Sequence, residues 1–171
     1  SLTINMAGYY AASGDYPKAI EMITQIEPAV IKVLGENSYY NIWLLNDLAT
    51  YHDNIGDNKT AIRIAEEAHQ KAKNVLEETD PLYTALLSNL AGFHNNSGNR
   101  AEAIRTVKEI LSIRKRTIGD KHPDYALSLN NLAAYYYDDG DIEKALELFV
   151  QALEIHAETS LIGYTHTLQN I

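Results

Sequence analysis

An all-α array of stacked antiparallel helix pairs is the fold class this sequence predicts, and three observations predict it. Gly14, Gly56, Gly98 and Gly140 keep a constant step of 42 residues along the 171-residue chain. Alanines keep the same step at Ala7, Ala49, Ala91 and Ala133, and again at Ala19, Ala61, Ala103 and Ala145. Between these marks apolar residues recur at spacings of 3 and 4, as at Leu129, Leu132, Ala133 and Tyr136, which is one face of a helix. A unit too small to bury its own apolar face must stack on its neighbours, so rows in register imply a shared core.

The elements follow in order. The first pair is read as 1–13 with 16–34: Gly14 supplies the left-handed backbone that ends a helix, and Asp15 caps the next one by accepting from its free N–H groups. Pro28 falls inside the second helix and removes a hydrogen bond there, so a kink near Gln25 or an early end is expected. The second pair is 38–55 with 58–77, opened by Ser38 and divided by Gly56-Asp57. The third is 81–97 with 100–118, opened by Asp80-Pro81, since proline suits a first helical turn where its missing N–H has no partner. The fourth is 122–139 with 142–160, opened by His122-Pro123, with Ala145, Leu148, Phe149, Ala152 and Leu153 as the apolar stripe of its second helix.

The stretch Tyr164–Ile171 echoes Tyr125–Leu132 at a spacing of 39, so a final helix is expected to begin near Tyr164. The reading is one repeat domain over 1–171 with units 1–37, 38–79, 80–121 and 122–160 and a partial unit 161–171. Stacked arrays need polar capping ends. Neither end shows one, so the array is expected to be a fragment of a longer protein that continues in both directions.

Composition narrows the function. A net charge of −9 argues against nucleic acid and anionic membrane surfaces as partners. The absence of cysteine removes disulfides, thiolate metal sites and cysteine nucleophiles, and fits a reducing, cytoplasmic setting. No apolar run approaches the ~18 residues of a membrane span. Of the six histidines no two lie three or four apart, so packed histidines are the reading rather than metal ligands. There is no nucleotide-binding glycine loop and no nucleophile elbow, so the chain is read as having no catalysis and no cofactor of its own.

The fourth unit, Gly119-Asp-Lys-His-Pro-Asp-Tyr-Ala-Leu-Ser-Leu-Asn-Asn-Leu-Ala133 with Gly140-Asp-Ile-Glu-Lys-Ala145, resembles the 42-residue tetratricopeptide repeats of kinesin light chains. It is equally similar to repeats in bacterial multidomain proteins, where they accompany caspase-like CHAT proteases or signalling ATPases. The resemblance covers the whole chain and implies a right-handed superhelical solenoid that binds proteins or extended peptides. Departures from the family pattern are His52 and His94 in place of tyrosine, and Ala65 and Val107 in place of a large aromatic; looser packing is expected there.

In this family the first helix of each pair lines the concave groove. Carried onto this sequence, the groove row is Asn46, Thr50, Asp53 and Asn54, then Ser88, Gly92, Asn95 and Asn96, then Asn130, Ala134, Tyr137 and Asp138, with Trp43 one turn earlier. Amides both donate to and accept from a peptide backbone, and Tyr137 and Tyr40 are candidate aromatic anchors. The plain alternative is a solvated polar face, which any soluble helix needs. The row Asn5, Asp47, Asn89 and Asn131 recurs in every unit and is read instead as a structural hydrogen bond between neighbours.

All 14 Lys and Arg residues fall in second helices or loops, whereas Asp47, Asp53, Asp124, Asp138 and Asp139 fall in first helices. The groove is therefore expected to be neutral to acidic, to favour basic or neutral polar segments, and to lack the cations that grip a peptide carboxylate. The cluster Arg114-Lys115-Arg116, with Lys108 and Lys121, reads as a solvated convex face. Two other roles stay open: a sensor region of a larger enzyme, and self-assembly through apolar array ends.

Overall fold

A computed structural model describes the backbone of residues 2–169 and the side chains of residues 5–159. Its eight helices are α1 (Leu2–Ala12), α2 (Tyr16–Leu34), α3 (Tyr39–Asn54), α4 (Asn58–Val75), α5 (Pro81–Asn96), α6 (Arg100–Thr117), α7 (Pro123–Asp138) and α8 (Ile142–Gln169). No strand occurs among the described residues. The first seven helices lie within two residues of the bounds expected from the sequence.

The helix ends are built as the glycine row predicts. At Gly56 the backbone has φ +81°, a left-handed conformation that side chains resist. It lets the Asp57 N–H reach back to the His52 carbonyl at 2.9 Å, and the Gly56 N–H to Asp53 at 2.9 Å. That pair of bonds satisfies carbonyls the ending helix would leave open. Asp57 then accepts from the Thr60 N–H at 3.2 Å and starts α4. Asp15 and Asp141 repeat this cap on Lys18 and Lys144, at 3.2 Å and 3.0 Å. His122 caps α7 through Nδ1, which accepts from the Asp124 N–H at 3.1 Å.

Two boundaries that the sequence allowed do not occur. Helix α2 runs through Pro28 to Leu34 without ending early. And α8 continues unbroken from Ile142 to Gln169, so no new helix begins near Tyr164. The reason is visible in the sequence around Ser160-Leu-Ile-Gly163, which has neither the Gly-Asp step nor the Asp-Pro or His-Pro pair that opens the other units.

The chain forms two compact units, Ser1–Asn99 and Arg100–Ile171. In the first, α1 packs on α2, α2 on α3, α3 on α4 and α5, and α4 on α5. Its core is made by Ile23, Ile42, Leu44, Ala49, Ala61, Leu86 and Ala91, each almost wholly out of solvent. His69 is buried between α4 and α5, with its ring edge-on to Tyr83 at 5.3 Å. Ala65, one of the departures from the family pattern, is fully enclosed.

In the second unit α7 packs between α6 and α8. Val107, Ile110, Leu129, Ala133, Ala145, Leu148, Ala152 and Ile155 are its core. The buried stripe of α8 is therefore Ala145, Leu148, Ala152 and Ile155, whereas Phe149 and Leu153 are exposed, contrary to expectation. All six are apolar and at helical spacing, so periodicity alone does not choose between adjoining stripes. The alanines do match the expected role: Ala133 has no exposed surface. Ala133→Leu should force neighbours off their rotamers and cost about 1–3 kcal/mol in urea denaturation. Ala134→Leu, on the exposed neighbour, should change stability by no more than about 0.5 kcal/mol.

Candidate functional site

The predicted site residues of the first unit lie on α3 and α5, and the structure shows what each does. Asn89 Nδ2 donates to Asn46 Oδ1 at 2.9 Å, and Asn96 Nδ2 donates to Asp53 Oδ2 at 2.8 Å. Both bonds join residues 43 apart, so they tie one repeat's first helix to the next. Thr50 Oγ1 donates to the Asn46 carbonyl at 2.9 Å, Asn54 Nδ2 to the Thr50 carbonyl at 2.8 Å, and Ser88 Oγ to the Thr84 carbonyl at 2.8 Å. Much of the polar row is thus engaged within or between its own helices. Asn54 and Asn96 are exposed, while Trp43, Asn46, Thr50, Asp53, Ser88 and Asn95 are half-buried. Asn89 makes the inter-repeat bond expected of its row, and its partner is Asn46.

Asp47 departs from that scheme. The residue 43 before it is Ile4, which has no hydrogen-bonding side chain. Asp47 instead lines a cavity of about 400 Å³ with Asn5, Ala7, Gly8, Ile23, Trp43, Leu44 and Tyr51. Burial pushes its carboxyl up to about 6, and a hydrogen bond from Asn46 offsets only part of this. Burial, with the charge of Asp47 beside it, also raises the Tyr51 phenol. The Tyr16 ring lies 6.1 Å from that of Tyr51. A second hollow of about 350 Å³ shares Trp43 and is lined also by Tyr39 and Tyr40. Tyr39 and Tyr40 are both exposed, so aromatic surface continues along α3 from the cavity.

In the second unit the predicted residues lie on α7. Asn130 is half-buried, while Tyr137 is 60% exposed and Asp138 lies open beside it. Tyr137 has the exposure an anchor requires. In the basic cluster Lys108, Lys115, Arg116 and Lys121 are exposed, as a solvated face requires, and Arg114 departs from it. Arg114 Nη1 donates to the Asp124 carbonyl at 2.5 Å and to Ser128 Oγ at 2.6 Å, which ties α6 to α7. Lys115 pairs with Asp120 at 3.1 Å, Lys121 with Glu158 at 2.9 Å, and Arg116 donates to Ser112 Oγ at 2.8 Å. Lys108 lies over the Tyr136 ring, 5.5 Å from its centre.

No Lys or Arg occurs in α1, α3, α5 or α7. No group of three or more His, Cys, Asp or Glu among the described residues could hold a metal ion. No described helix is long and apolar enough to cross a membrane. His52 Nδ1 is 3.3 Å from Asp57 Oδ2, which places this histidine at a helix end. His94 is buried.

Several solved structures share this architecture. The chain is similar to the nearly identical TPR-like repeats of a Podosopora anserina protein described as a kinesin light chain, at 24% identity and a TM-score of 0.82, over 92% of this chain and 74% of that one. It is similar to the sensor-bearing STAND protein PH0952 of Pyrococcus horikoshii at 19% identity and a TM-score of 0.74, over 92% of this chain and 23% of that one. It is similar to a Rap protein complexed with Competence and Sporulation Factor at 15% identity and a TM-score of 0.75, covering 91% of this chain and 42% of that one. At these identities the likeness shows the fold. No curated protein matches the sequence. The tetratricopeptide repeat family model matches residues 1–74 and 82–158, most of the chain, and the protein belongs to that family.

Proposed function

We propose that this protein is an interaction scaffold that holds a polypeptide segment on the exposed face of its first helices, favours neutral or basic segments, and performs no chemistry. The observation that carries this reading is the charge distribution. In the first unit α3 presents Asp47 and Asp53 and neither α3 nor α5 contains a Lys or Arg. Opposite potentials steer and select partners, and like charges reject them. Anionic partners, nucleic acid included, meet no cation on these helices. The general role of tetratricopeptide repeats is protein–protein interaction, and the Rap neighbour was solved with its factor bound. The likeness to the tetratricopeptide sensor of PH0952 supports a second reading, in which the segment binds a partner on behalf of a larger enzyme.

A peptide array probed with the purified chain tests the scaffold reading. Asp53→Asn removes charge but keeps an acceptor for Asn96, so the fold should be unchanged. Binding of Lys- and Arg-containing peptides should weaken about three- to tenfold at low salt, and the difference should shrink near 1 M salt. Lys115→Ala with Arg116→Ala serves as the control on another surface; Arg114 is left intact because it joins α6 to α7. Selective capture of acidic peptides, or a loss of binding in the control alone, would place the binding face elsewhere.

A further inference from the structure

We infer that the cavity between α1, α2 and α3 is a receptor for an alkylammonium group, a lysine side chain of the bound polypeptide, with Asp47 as its counter-ion. This deepens the scaffold reading and rests on it for the source of the lysine.

The cavity has one acid and no base. Asp47 forms no ion pair with any described residue, and Lys18 on α2 is held by Glu21 at 2.6 Å. A carboxylate in a partly desolvated site is costly unless a cation or strong donors compensate it. The repeat itself does not require an acid there, because the same position is Asn5, Asn89 and Asn131 in the other units. Asn89 is satisfied by Asn46, whereas the residue in that register before Asp47 is Ile4. The charge accepts a hydrogen bond from Asn46 but has no counter-ion among the described residues, and it lines the cavity.

The walls suit an ammonium group on an aliphatic stem. Ala7, Ile23 and Leu44 offer apolar lining to methylene groups, and the Trp43 and Tyr51 rings attract a cation. The carboxylate of Asp47, the amide oxygen of Asn5 and the hydroxyl of Tyr51 are three acceptor groups, matching the three donors of an ammonium. A guanidinium has five donors in a rigid plane and would leave some of them unmet. The aromatic hollow of Tyr39, Tyr40 and Trp43 adjoins the cavity and offers room for the residue beside the lysine.

Trp43 is the sole tryptophan and lines both the cavity and the adjoining hollow, so its fluorescence and indole N–H resonance report on this region. The probes are Nα-acetyl-lysine methylamide, its arginine counterpart, and the norleucine analogue that lacks the ammonium. The lysine probe should give a saturable change, with the other two binding about tenfold more weakly or worse. Asp47→Asn should weaken the lysine probe about tenfold and leave norleucine unaffected. Circular dichroism of Asp47→Asn should match the parent, which separates lost binding from lost fold. Equal binding of lysine and norleucine, an Asp47→Asn variant that binds lysine normally, or no saturable change at all would overturn the inference. If the cavity fails in this way while peptide capture remains sensitive to Asp53→Asn, the scaffold reading stands and only the lysine site is removed.

Discussion

Leu86→Ala is expected to destabilise the first unit by about 2–5 kcal/mol, the largest stability loss of any single change proposed. Leu86 has no exposed surface and sits on α5, which packs on both α3 and α4. Truncation removes methyl groups from a site closed by three helices, and such a site cannot collapse freely around the cavity left behind. Marginal proteins have total stabilities of only about 5–15 kcal/mol, so the loss should be plain in a urea titration. Leu86→Met, which conserves volume, should cost less than about 1.5 kcal/mol. A Leu86→Ala loss below 1 kcal/mol would mean that the α3–α4–α5 core is less tightly closed than described.

Asp47→Asn is expected to act in the opposite direction and raise stability at neutral pH. The folded chain holds the Asp47 carboxyl at about 6, against 3.8 for an unperturbed aspartate. Between these values the folded state binds a proton that the unfolded state has released, so stability falls as pH rises from below 4 to above 6. Above pH 6 the full cost of the ionised, half-buried carboxylate is present. After discounting for solvent screening it is on the order of 1–2 kcal/mol. The amide has no such cost and restores the residue found in the other units. The variant should therefore melt higher at pH 7.5, and its advantage should vanish near pH 3.5. The acids Glu21, Glu36, Asp57 and Asp120 are pulled below their usual range by their partners. Their contributions run the other way, present at higher pH and lost as pH falls through their folded values, so only the difference between parent and variant isolates Asp47. A pH-independent difference would remove the argument that this carboxylate is desolvated.

If both the stabilisation and the loss of lysine binding are found in one variant, Asp47 is a residue kept at a cost to the fold. Sites that bind or react are where such costs concentrate. The alternation of Asn, Asp, Asn, Asn along a single register row then has a meaning beyond helix pairing.

The helices themselves were legible residue by residue. Gly56 must be left-handed for Asp57 to reach His52, and that requirement is local to a few consecutive residues. The same holds for the Asp15, Asp57 and Asp141 caps and for Pro81 and Pro123 in first turns. The rows in register told that helices pair and stack, because burial demands it of any short amphipathic unit. By the same local logic, the missing Gly-Asp step after residue 160 is what lets α8 run on, although an echo of Tyr125–Leu132 had suggested a new start.

The candidate site was less legible, for a physical reason. A side chain's type says what bonds it can make and nothing about which partner comes within 3 Å. Asn46 and Asn96 read as free peptide-binding amides until α3 and α5 are set side by side, when they are found bonded to Asn89 and Asp53. Arg114 reads as surface charge until α7 brings Ser128 and the Asp124 carbonyl to it. Phe149 and Leu153 read as core until α7 meets α8 along the adjoining stripe. The sequence by itself determined the repeat, the boundaries of its first seven helices and the exclusion of every Lys and Arg from the first helices, all of them set by neighbours along the chain. Only the tertiary structure decided which polar groups are already spent, and that Asp47 faces a cavity without a cation, because desolvation and pairing are set by neighbours in space.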